Sequence, residues 1–241
     1  MFLEERYEKI IEALKKDGRV TVKKLSADFN VTEDCIRKDL KSLENKNLLK
    51  RVYGGAILCK HHIDVKPVDE RKNINLSEKK QIAANAFSLI ENNDVIFLDI
   101  TTTNLEIAKL IDASSLKVTI ITNMIEIVSM LKESVNTKVI CIGGEFNKEA
   151  GGIVGSAANN YIENFTFDKS FIGACGINNE TGYISIINFE DGNTKHTVIN
   201  NSNENYIVME SSKYNYDEFY KFASLSEVTA VITEKDITYT E

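Results

Sequence analysis

Residues 32–56, TEDCIRKDLKSLENKNLLKRVYGGA, contain the pattern that decides the fold of the first part of the chain. Apolar residues recur in it at helical spacing, namely Ile36, Leu40 and Leu43, and this spacing predicts a helix with one buried face. Thr32 can cap that helix. Three cations fall outside the buried face: Arg37, Lys38 and Lys41. They could meet phosphates and base edges in a major groove of DNA, and a solvated charged face is the alternative.

The sequence before this helix predicts two more helices. Residues 4–16 have apolar side chains at helical spacing, and Gly18 can end that helix in a left-handed conformation. Thr21 can cap a short helix over residues 22–29, and Asn30 then begins a tight turn. A helix, a short helix, a tight turn and a basic helix together predict a helix-turn-helix. A generic small helical domain is the alternative.

A hairpin is predicted after the basic helix. Residues 48–52 and 56–58 are short apolar segments, joined through Tyr53, Gly54 and Gly55. Glycine supplies the positive φ that a hairpin turn needs. The hairpin would form a wing with Lys50 and Arg51 near the phosphates.

These residues resemble the DNA-binding signature of the DeoR family of bacterial transcription regulators. The matching residues are Arg6, Ile10, Leu14, the run 36–40, Leu43, Glu44, Arg51 and the run 53–56. Cys35 stands where the family usually has threonine, and Tyr53 where it usually has histidine. The predicted DNA-binding residues are Thr32, Cys35, Arg37, Lys38, Lys41, Arg51, Tyr53 and Gly54.

Length and charge predict two domains. The 241 residues can form a winged helix-turn-helix over residues 1–58, a linker over 59–76 and a larger domain over 77–241. The first 60 residues contain 14 Lys and Arg against 10 Asp and Glu, a net charge of +4, whereas the remainder contains 15 against 26, a net charge of −11. Only the amino-terminal part is therefore suited by its overall charge to bind a polyanion such as DNA.

Several classes of protein are disfavoured by the sequence. The start of the chain has no basic and apolar pattern of a secretory signal, and no run approaches the roughly 20 apolar residues of a membrane span. The four cysteines are scattered, which suits a reducing cytoplasm. The cluster at residues 59–62, CKHH, is a weak alternative as a metal site, because it lacks a fourth ligand at sensible spacing. We predict no metal, no cofactor and no contact with a membrane.

From residue 77 onward, short apolar strands alternate with amphipathic helices. Helices are predicted over 77–90, 104–111, 124–132, 157–164 and 190–200, and strands over 95–98, 118–121, 138–142, 169–172, 206–209 and 230–232. This alternation is typical of a mostly parallel sheet with helices on both faces. The predicted fold class is α/β: a winged helix-turn-helix followed by a doubly wound α/β effector domain.

In such sheets a ligand lies beyond the carboxyl ends of the strands. Small and polar residues follow the predicted strands there, and those chosen as effector-binding are Asp99, Thr101, Thr102, Thr103, Asn123, Gly143 and Gly144. The start of the helix at 104 suits a phosphate, because its first N–H groups are unpaired. Simpler interpretations stay open: Asn123 could cap the next helix, the paired glycines could be a turn, and residues 211–213 could be a surface loop.

The resemblance to the DeoR family extends over these positions. The matches are Asp99, Thr102, Thr103, Thr122, Asn123, Gly143, Gly144, Gly155, the pattern over 168–176, Lys195 and the run 211–213. The family's effector domain is similar to ribose-5-phosphate isomerase and typically responds to phosphorylated sugars. The resemblance implies that Lys195 faces the sugar phosphate, and a solvated lysine is the alternative.

One departure from the family concerns the predicted phosphate loop. Thr101 stands where the family commonly has glycine. A β-branched residue would be strained there if the position required positive φ, and the loop would then be reshaped.

Three functions remain at this point. The leading hypothesis is a DNA-binding regulator, most simply a repressor of carbohydrate-metabolism genes, that binds operator DNA and a sugar-phosphate effector as a homo-oligomer. An isomerase-like enzyme and a ligand-independent DNA-binding protein are the alternatives. An enzyme needs a base beside a substrate carbon, which a sequence does not reveal. We therefore assign no catalytic residue.

Overall fold

The structure, a computed structural model, describes residues 3–45, 48–58 and 68–240. The chain forms two compact units, Met1–His61 and His62–Glu241. The larger part of the predicted linker, residues 59–67, lies outside the described residues, and so does the CKHH cluster at 59–62. The predicted domain boundaries therefore stay predictions.

The first unit is a winged helix-turn-helix. Its elements are α1 (Leu3–Asp17), β1 (Arg19–Thr21), α2 (Val22–Phe29), α3 (Glu33–Asn45), β2 (Leu49–Val52) and β3 (Gly55–Leu58). The residues predicted to bound α1 and α2 do so. Gly18 follows α1 with φ +69°, the Thr21 hydroxyl caps α2 by accepting from Lys24 N, and Asn30 after α2 is left-handed with φ 52°. One core joins all three helices to the wing, and its buried residues are Ile10, Leu14, Val20, Val22, Leu25, Ile36, Leu40, Leu43, Leu49 and Ala56.

The wing has three strands rather than the two that the sequence predicts. β1 pairs with β3, and β3 pairs with β2, all antiparallel. Gly54 makes the turn with φ +78°. Gly55 has a different role, since a Cβ built on it would lie 2.0 Å from the carbonyl oxygen of Val20. The added strand therefore requires glycine at position 55 because the two backbones approach too closely for a side chain.

The second unit is built on a seven-stranded sheet with helices on both faces. Its strands are β4 (Val95–Leu98), β5 (Val118–Thr122), β6 (Thr137–Cys141), β7 (Glu145–Asn147), β8 (Gly152–Val154), β9 (Phe167–Gly173), β10 (Gly176–Ile177), β11 (Tyr183–Ile186), β12 (Ser202–Val208), β13 (Tyr220–Ser224), β14 (Ala230–Ile232) and β15 (Ile237–Tyr239). Its helices are α4 (Val68–Arg71), α5 (Leu76–Phe87), α6 (Thr102–Asp112), α7 (Ile125–Leu131), α8 (Ser156–Ile162) and α9 (Phe189–Asn200).

The large sheet has the order β15-β14-β12-β9-β4-β5-β6, and only β15 runs antiparallel to its neighbour. Side chains of β4 alternate between two cores, as the pleat requires. Ile96 and Leu98 pack with α5, α6 and α7, whereas Phe97 packs with α8 and α9. The predicted fold class, a winged helix-turn-helix followed by a doubly wound and mostly parallel α/β domain, is confirmed.

Two small sheets were not predicted. β7 and β8 form a hairpin, and β10, β11 and β13 form a second antiparallel sheet. α4 packs on the turn of the hairpin: a Cβ on Gly151 would lie 2.8 Å from Val68 Cγ1, and Arg71 Nη2 donates to the carbonyl of Ala150 at 3.3 Å. The hairpin therefore joins α4 to the edge of the sheet where the strands end.

Among the described residues, no helix combines the length and the apolar character needed to cross a membrane. The same part of the chain contains no grouping of three or more His, Cys, Asp or Glu that could hold a metal ion.

Candidate DNA-binding surface and sensor site

The outer face of α3 presents the predicted cations. Arg37, Lys38 and Lys41 are exposed, while Ile36 and Leu40 on the opposite side are buried. Arg37 does not stand alone, because its guanidinium bonds Asp34 at 2.6 Å and Glu33 at 2.7 Å within the same helix. A contact from Arg37 to a base or phosphate must therefore replace or share these ion pairs.

Two of the predicted DNA contacts have local structural roles. The Thr32 hydroxyl accepts from Cys35 N at 3.3 Å and so caps α3. The Cys35 thiol is half-buried and lies 4.0 Å from Asp39 Oδ2, on the inner side of the helix. Asp39 in turn is bound by Arg6 of α1.

The wing presents its predicted residues at the surface. Tyr53 is fully exposed beside Gly54 at the tip of the turn. Arg51 is tied to α3, since its backbone N–H donates to Glu44 Oε1 at 2.8 Å and its side chain lies 3.8 Å from Glu44 Oε2. The whole Tyr53 side chain is therefore open to solvent at the tip of the wing.

In the second unit, Asp99 lies at the carboxyl end of β4 and is fully buried. Its Oδ1 accepts from Asn104 Nδ2 at 2.6 Å, and its Oδ2 accepts from Gly173 N at 2.8 Å and from Lys195 Nζ. Both oxygens are thus occupied by protein donors. Asp99 joins β4, β9, α6 and α9 at one point.

Lys195 on α9 is only 1% exposed. Its Nζ bonds Asp99 and lies 3.3 Å from Asp191 Oδ1, forming what we call the Lys195 triad (Asp99, Asp191 and Lys195). Burial disfavours the ammonium form, but the two carboxylates outweigh it and raise the pKa of Lys195. Burial also raises the pKa of Asp191. The alternative of a solvated lysine is wrong, because the cation is enclosed by two carboxylates.

The strain expected at Thr101 is absent. Thr101 has φ −127° and ψ 149°, which is ordinary extended backbone, and its hydroxyl caps α6 by accepting from Asn104 N at 3.2 Å. Its methyl group fills the space beside Gly173, where a Cβ would lie 2.0 Å from Thr101 Cγ2. Thr102 and Thr103 follow as the first buried residues of α6, so their backbone N–H groups belong to the unpaired first turn.

Asn123 joins β5 to the hairpin of β7 and β8. Its Nδ2 donates to the carbonyl of Ile153 at 2.8 Å, and its own carbonyl accepts from Ile153 N at 2.8 Å. The Asn123 side chain does not cap α7; the Thr122 hydroxyl accepts from Met124 N instead. Asn123 Oδ1 is buried and has no hydrogen-bond partner among the described residues. The Asn123 side chain is therefore satisfied as a donor and unsatisfied as an acceptor.

The paired glycines differ from each other. Gly144 has φ +151°, and a Cβ there would lie 2.8 Å from Ile153 Cγ2, so the approach of β8 requires a glycine. Gly143 has open space where its Cβ would be. Packing of the hairpin accounts for Gly144.

The structure adds site residues that the sequence analysis missed, and we call them the basic cluster (Arg71, Lys79, Glu210 and Lys213). Lys79 Nζ donates to the carbonyl of Arg71 at 2.5 Å, and Lys213 Nζ lies 2.6 Å from Glu210 Oε2. Burial lowers the pKa of Lys79. Burial opposes the charge of Glu210, but Lys213 and further interactions outweigh it and lower the pKa of that carboxyl.

The charge of Arg71 lowers the pKa of Asp191 in the Lys195 triad as well as that of Lys79. Arg71 Nε is buried without a hydrogen-bond partner among the described residues. A sequence signal existed for Glu210 and Lys213, which follow the predicted strand 206–209, and the backbone N–H of Ser211 between them donates to Glu234 Oε2 at 2.8 Å. Lys79 looked like any helical lysine, because only the tertiary structure buries it.

A pocket of about 430 Å³ opens beside this edge of the sheet. It lies between α6, α7 and the start of α5, and Thr102 is the predicted effector-binding residue that lines it. Its other lining residues are Lys72, Asn73, Leu76, Leu105, Glu106, Lys109, Glu126, Ser129 and Met130. The pocket therefore reaches the first turn of α6 at Thr102.

A winged helix-turn-helix joined to an α/β unit with a buried charged site defines a DNA-binding regulator with a sensor domain. Two family comparisons give the same result: the DeoR-like helix-turn-helix domain matches residues 6–62, and the DeoR C terminal sensor domain matches residues 74–235. The chain belongs to the DeoR family of transcription regulators. The predicted resemblance is thereby confirmed, and so is the prediction that the chain is a regulator rather than an enzyme.

Individual relatives align over nearly the whole chain. The glycerol-3-phosphate regulon repressor of Escherichia coli (strain K12) is 32% identical over 231 residues, 95% of this chain and 90% of the relative. The HTH-type transcriptional repressor GlcR of Bacillus subtilis (strain 168) is 32% identical over 98% and 90%. The lactose phosphotransferase system repressor of Lactococcus lactis subsp. lactis is 30% identical over 96% and 91%.

Among solved structures, ribose 5-phosphate isomerase A from Methanocaldococcus jannaschii superposes with a TM-score of 0.43 and 19% identity. The alignment covers 58% of this chain and 55% of the isomerase.

Proposed function

We propose that this protein is a repressor of carbohydrate-metabolism genes whose affinity for operator DNA is changed by a phosphorylated sugar. The observation that carries the proposal is the buried site at the carboxyl ends of the strands. It combines cations, an unpaired acceptor and the amino terminus of α6 in one place. The names of two relatives, a glycerol-3-phosphate regulon repressor and a lactose phosphotransferase system repressor, support the same class of target gene, and a third relative is also named a transcriptional repressor.

A phosphate would bind where positive groups lack partners. The first N–H groups of α6, at Thr102 and Thr103, favour an anion through their free donors and the helix dipole. Arg71 Nε is buried and unpartnered among the described residues, and Lys79 Nζ uses a carbonyl as its acceptor. A phosphate dianion would accept charge-assisted hydrogen bonds from these two cations.

The Lys195 triad would bind the sugar rather than the phosphate. Lys195 is already neutralised by two carboxylates, so a phosphate near it would add a third negative group. Asp191 Oδ1 and Asn123 Oδ1 are buried acceptors without a hydrogen-bond donor in good geometry. Sugar hydroxyls are donors of suitable size for both. This assignment differs from the one that the family resemblance implies for Lys195.

The effect of the sugar phosphate on DNA binding follows from linkage. An effector that binds the DNA-incompetent arrangement more tightly lowers operator affinity by the same factor as DNA lowers effector affinity. A single winged helix covers little DNA, and two half-sites bound by a symmetric dimer give the usual specific affinity. We therefore propose a dimer or higher oligomer that acts in the cytoplasm, where operator DNA is located. The alternative of a ligand-independent protein would be favoured if Thr101 blocked the ligand site; the ordinary backbone conformation of Thr101 gives no sign of a reshaped loop.

The test is an affinity measurement on DNA from upstream of the protein's own gene. It is made at one fixed salt concentration, with and without a panel of sugar phosphates, because affinity for DNA depends steeply on salt. Each phosphate is matched by its unphosphorylated sugar. We expect competitor-resistant binding that one phosphate changes by at least tenfold and that the matched sugar leaves unchanged. Operator binding that ignores every phosphate at millimolar concentration would contradict the proposed effector class.

A further inference from the structure

A buried ion pair connects α1 to α3, the helix that carries the predicted DNA-binding cations. Arg6 Nε donates to Asp39 Oδ2 at 2.7 Å, and Arg6 Nη2 donates to Asp39 Oδ1 at 3.1 Å. Arg6 is 8% exposed and Asp39 is 3% exposed. Two parallel bonds between a planar guanidinium and a carboxylate fix direction as well as distance. The pair therefore restrains how α3 is rotated relative to α1.

Rotation of α3 matters because of what its other face carries. Asp39 is next to Lys38 in the chain, and Lys38 and Lys41 are exposed on the outer face. Side-chain ends lie about 5–6 Å from a helix axis, so a rotation of about 20° displaces them by about 2 Å. Hydrogen bonds to base edges tolerate only about 0.5 Å in length. Apolar contacts on the inner face, at Ile36 and Leu40, are non-directional and restrain such a rotation less.

Stability alone does not account for an ion pair at this place. Replacing a buried ion pair by apolar side chains of similar volume is often neutral or stabilising, because both charges lose their hydration. Arg6 and Asp39 are both buried, and Asp39 is next to Leu40, a residue of the apolar core of this unit. We infer that the Arg6–Asp39 pair is a positioning device for operator recognition: it locks the rotation of α3, and it sets the discrimination between operator and other DNA.

The test uses the full chain and an operator selected by the wild-type protein from random DNA. In the double variant Arg6→Met with Asp39→Leu, neither charge is left unpaired. We expect folding to be retained, with the melting temperature within about 4 °C of wild type. Operator affinity relative to random-sequence DNA should fall at least tenfold. Affinity for random DNA and its salt dependence should change less than twofold, since phosphate contacts carry them.

A second variant tests the same inference if the double variant does not fold. Arg6→Lys retains the charge but cannot make both bonds of the fork. We expect it to fold and to lose three- to tenfold of the same affinity ratio. A ratio within twofold of wild type in whichever variants fold would overturn the inference.

A matched control removes a buried ion pair elsewhere. Lys169 Nζ lies 2.7 Å from Asp94 Oδ2 in the second unit, and both residues are buried. Lys169→Met with Asp94→Asn should leave the ratio of operator to random-DNA affinity within twofold of wild type. An equal loss of this ratio in the control would attribute the effect to general destabilisation and would also overturn the inference.

Discussion

Replacing Lys195 by methionine tests whether the Lys195 triad is a compensated buried charge group. Methionine retains most of the side-chain volume but leaves Asp99 and Asp191 buried without their cation. Removing one partner of a buried ion pair costs about 3–5 kcal/mol of the free energy of unfolding. For a domain of this size, 1 kcal/mol corresponds to about 2–4 °C, so the melting temperature should fall by about 6–20 °C.

The loss should depend on pH with a definite sign. Without Lys195, one buried carboxyl is expected to have a folded-state pKa above its unfolded value of about 3.9. A group with a raised folded pKa contributes its stability at low pH and loses it as the pH rises through that folded pKa. The deficit of Lys195→Met should therefore be smaller at pH 5 than at pH 8.

The assay is thermal and urea unfolding of the full chain at both pH values. Adding Asp191→Asn to Lys195→Met should restore at least about 1 kcal/mol, since it removes one of the two uncompensated charges. The reasoning is refuted if Lys195→Met costs less than about 1 kcal/mol while it abolishes the response to the effector. That combination would identify Lys195 as a free cation for the ligand.

Three further predictions concern the other parts of the molecule. Arg37→Ala should weaken operator binding by about 1–3 kcal/mol and leave effector binding intact. Gel-shift titration measures the first and calorimetry with the effector measures the second, and loss of both would contradict the prediction. Lys79→Met should weaken effector binding by about 10- to 100-fold, as expected for the loss of a charge-assisted hydrogen bond. Lys80→Met, on the exposed side of α5, should leave effector binding unchanged. Gly55→Ala should destabilise the first unit by more than about 2 kcal/mol, because the added Cβ would clash with a backbone oxygen. Gly54→Ala should cost only about 1 kcal/mol, because of the positive φ at that position. Equal losses of the free energy of unfolding in the two variants, measured by chemical unfolding, would argue against the clash.

The sequence predicted the large elements because their signals are local. β4 was predicted with its observed bounds, since an apolar run lies between two aspartates at 94 and 99. α3 was found from the spacing of three buried residues and its cap. The short strand β1 was missed, because three residues between two helices carry no period that distinguishes a strand from a turn. The small sheet of β10, β11 and β13 was missed for a similar reason.

The candidate site was predictable only in part. Strand ends placed Asp99, Thr102 and Asn123 at one edge of the sheet, because the carboxyl ends of parallel strands meet there. Their partners come from distant segments: Lys195 reaches Asp99 across 96 positions of sequence, and the carbonyl of Ile153 accepts from the Asn123 side chain across 30 positions. The backbone conformation at Thr101 likewise depends on space beside Gly173. Such pairings are set by tertiary packing, and one sequence does not encode them in any local pattern.

The hairpin of β7 and β8 contains two amides whose hydrogen exchange can be followed next to the candidate sensor site. Ile153 N–H is bonded to the carbonyl of Asn123, and Gly151 N–H is bonded to the carbonyl of Asn147 in the turn that contacts α4. The two amides are separated by one residue, yet one is attached to the sheet edge and the other lies beside Val68. Their hydrogen-exchange rates therefore report, within a single tripeptide, the local stability of the hairpin where it joins the sheet edge and where it contacts α4.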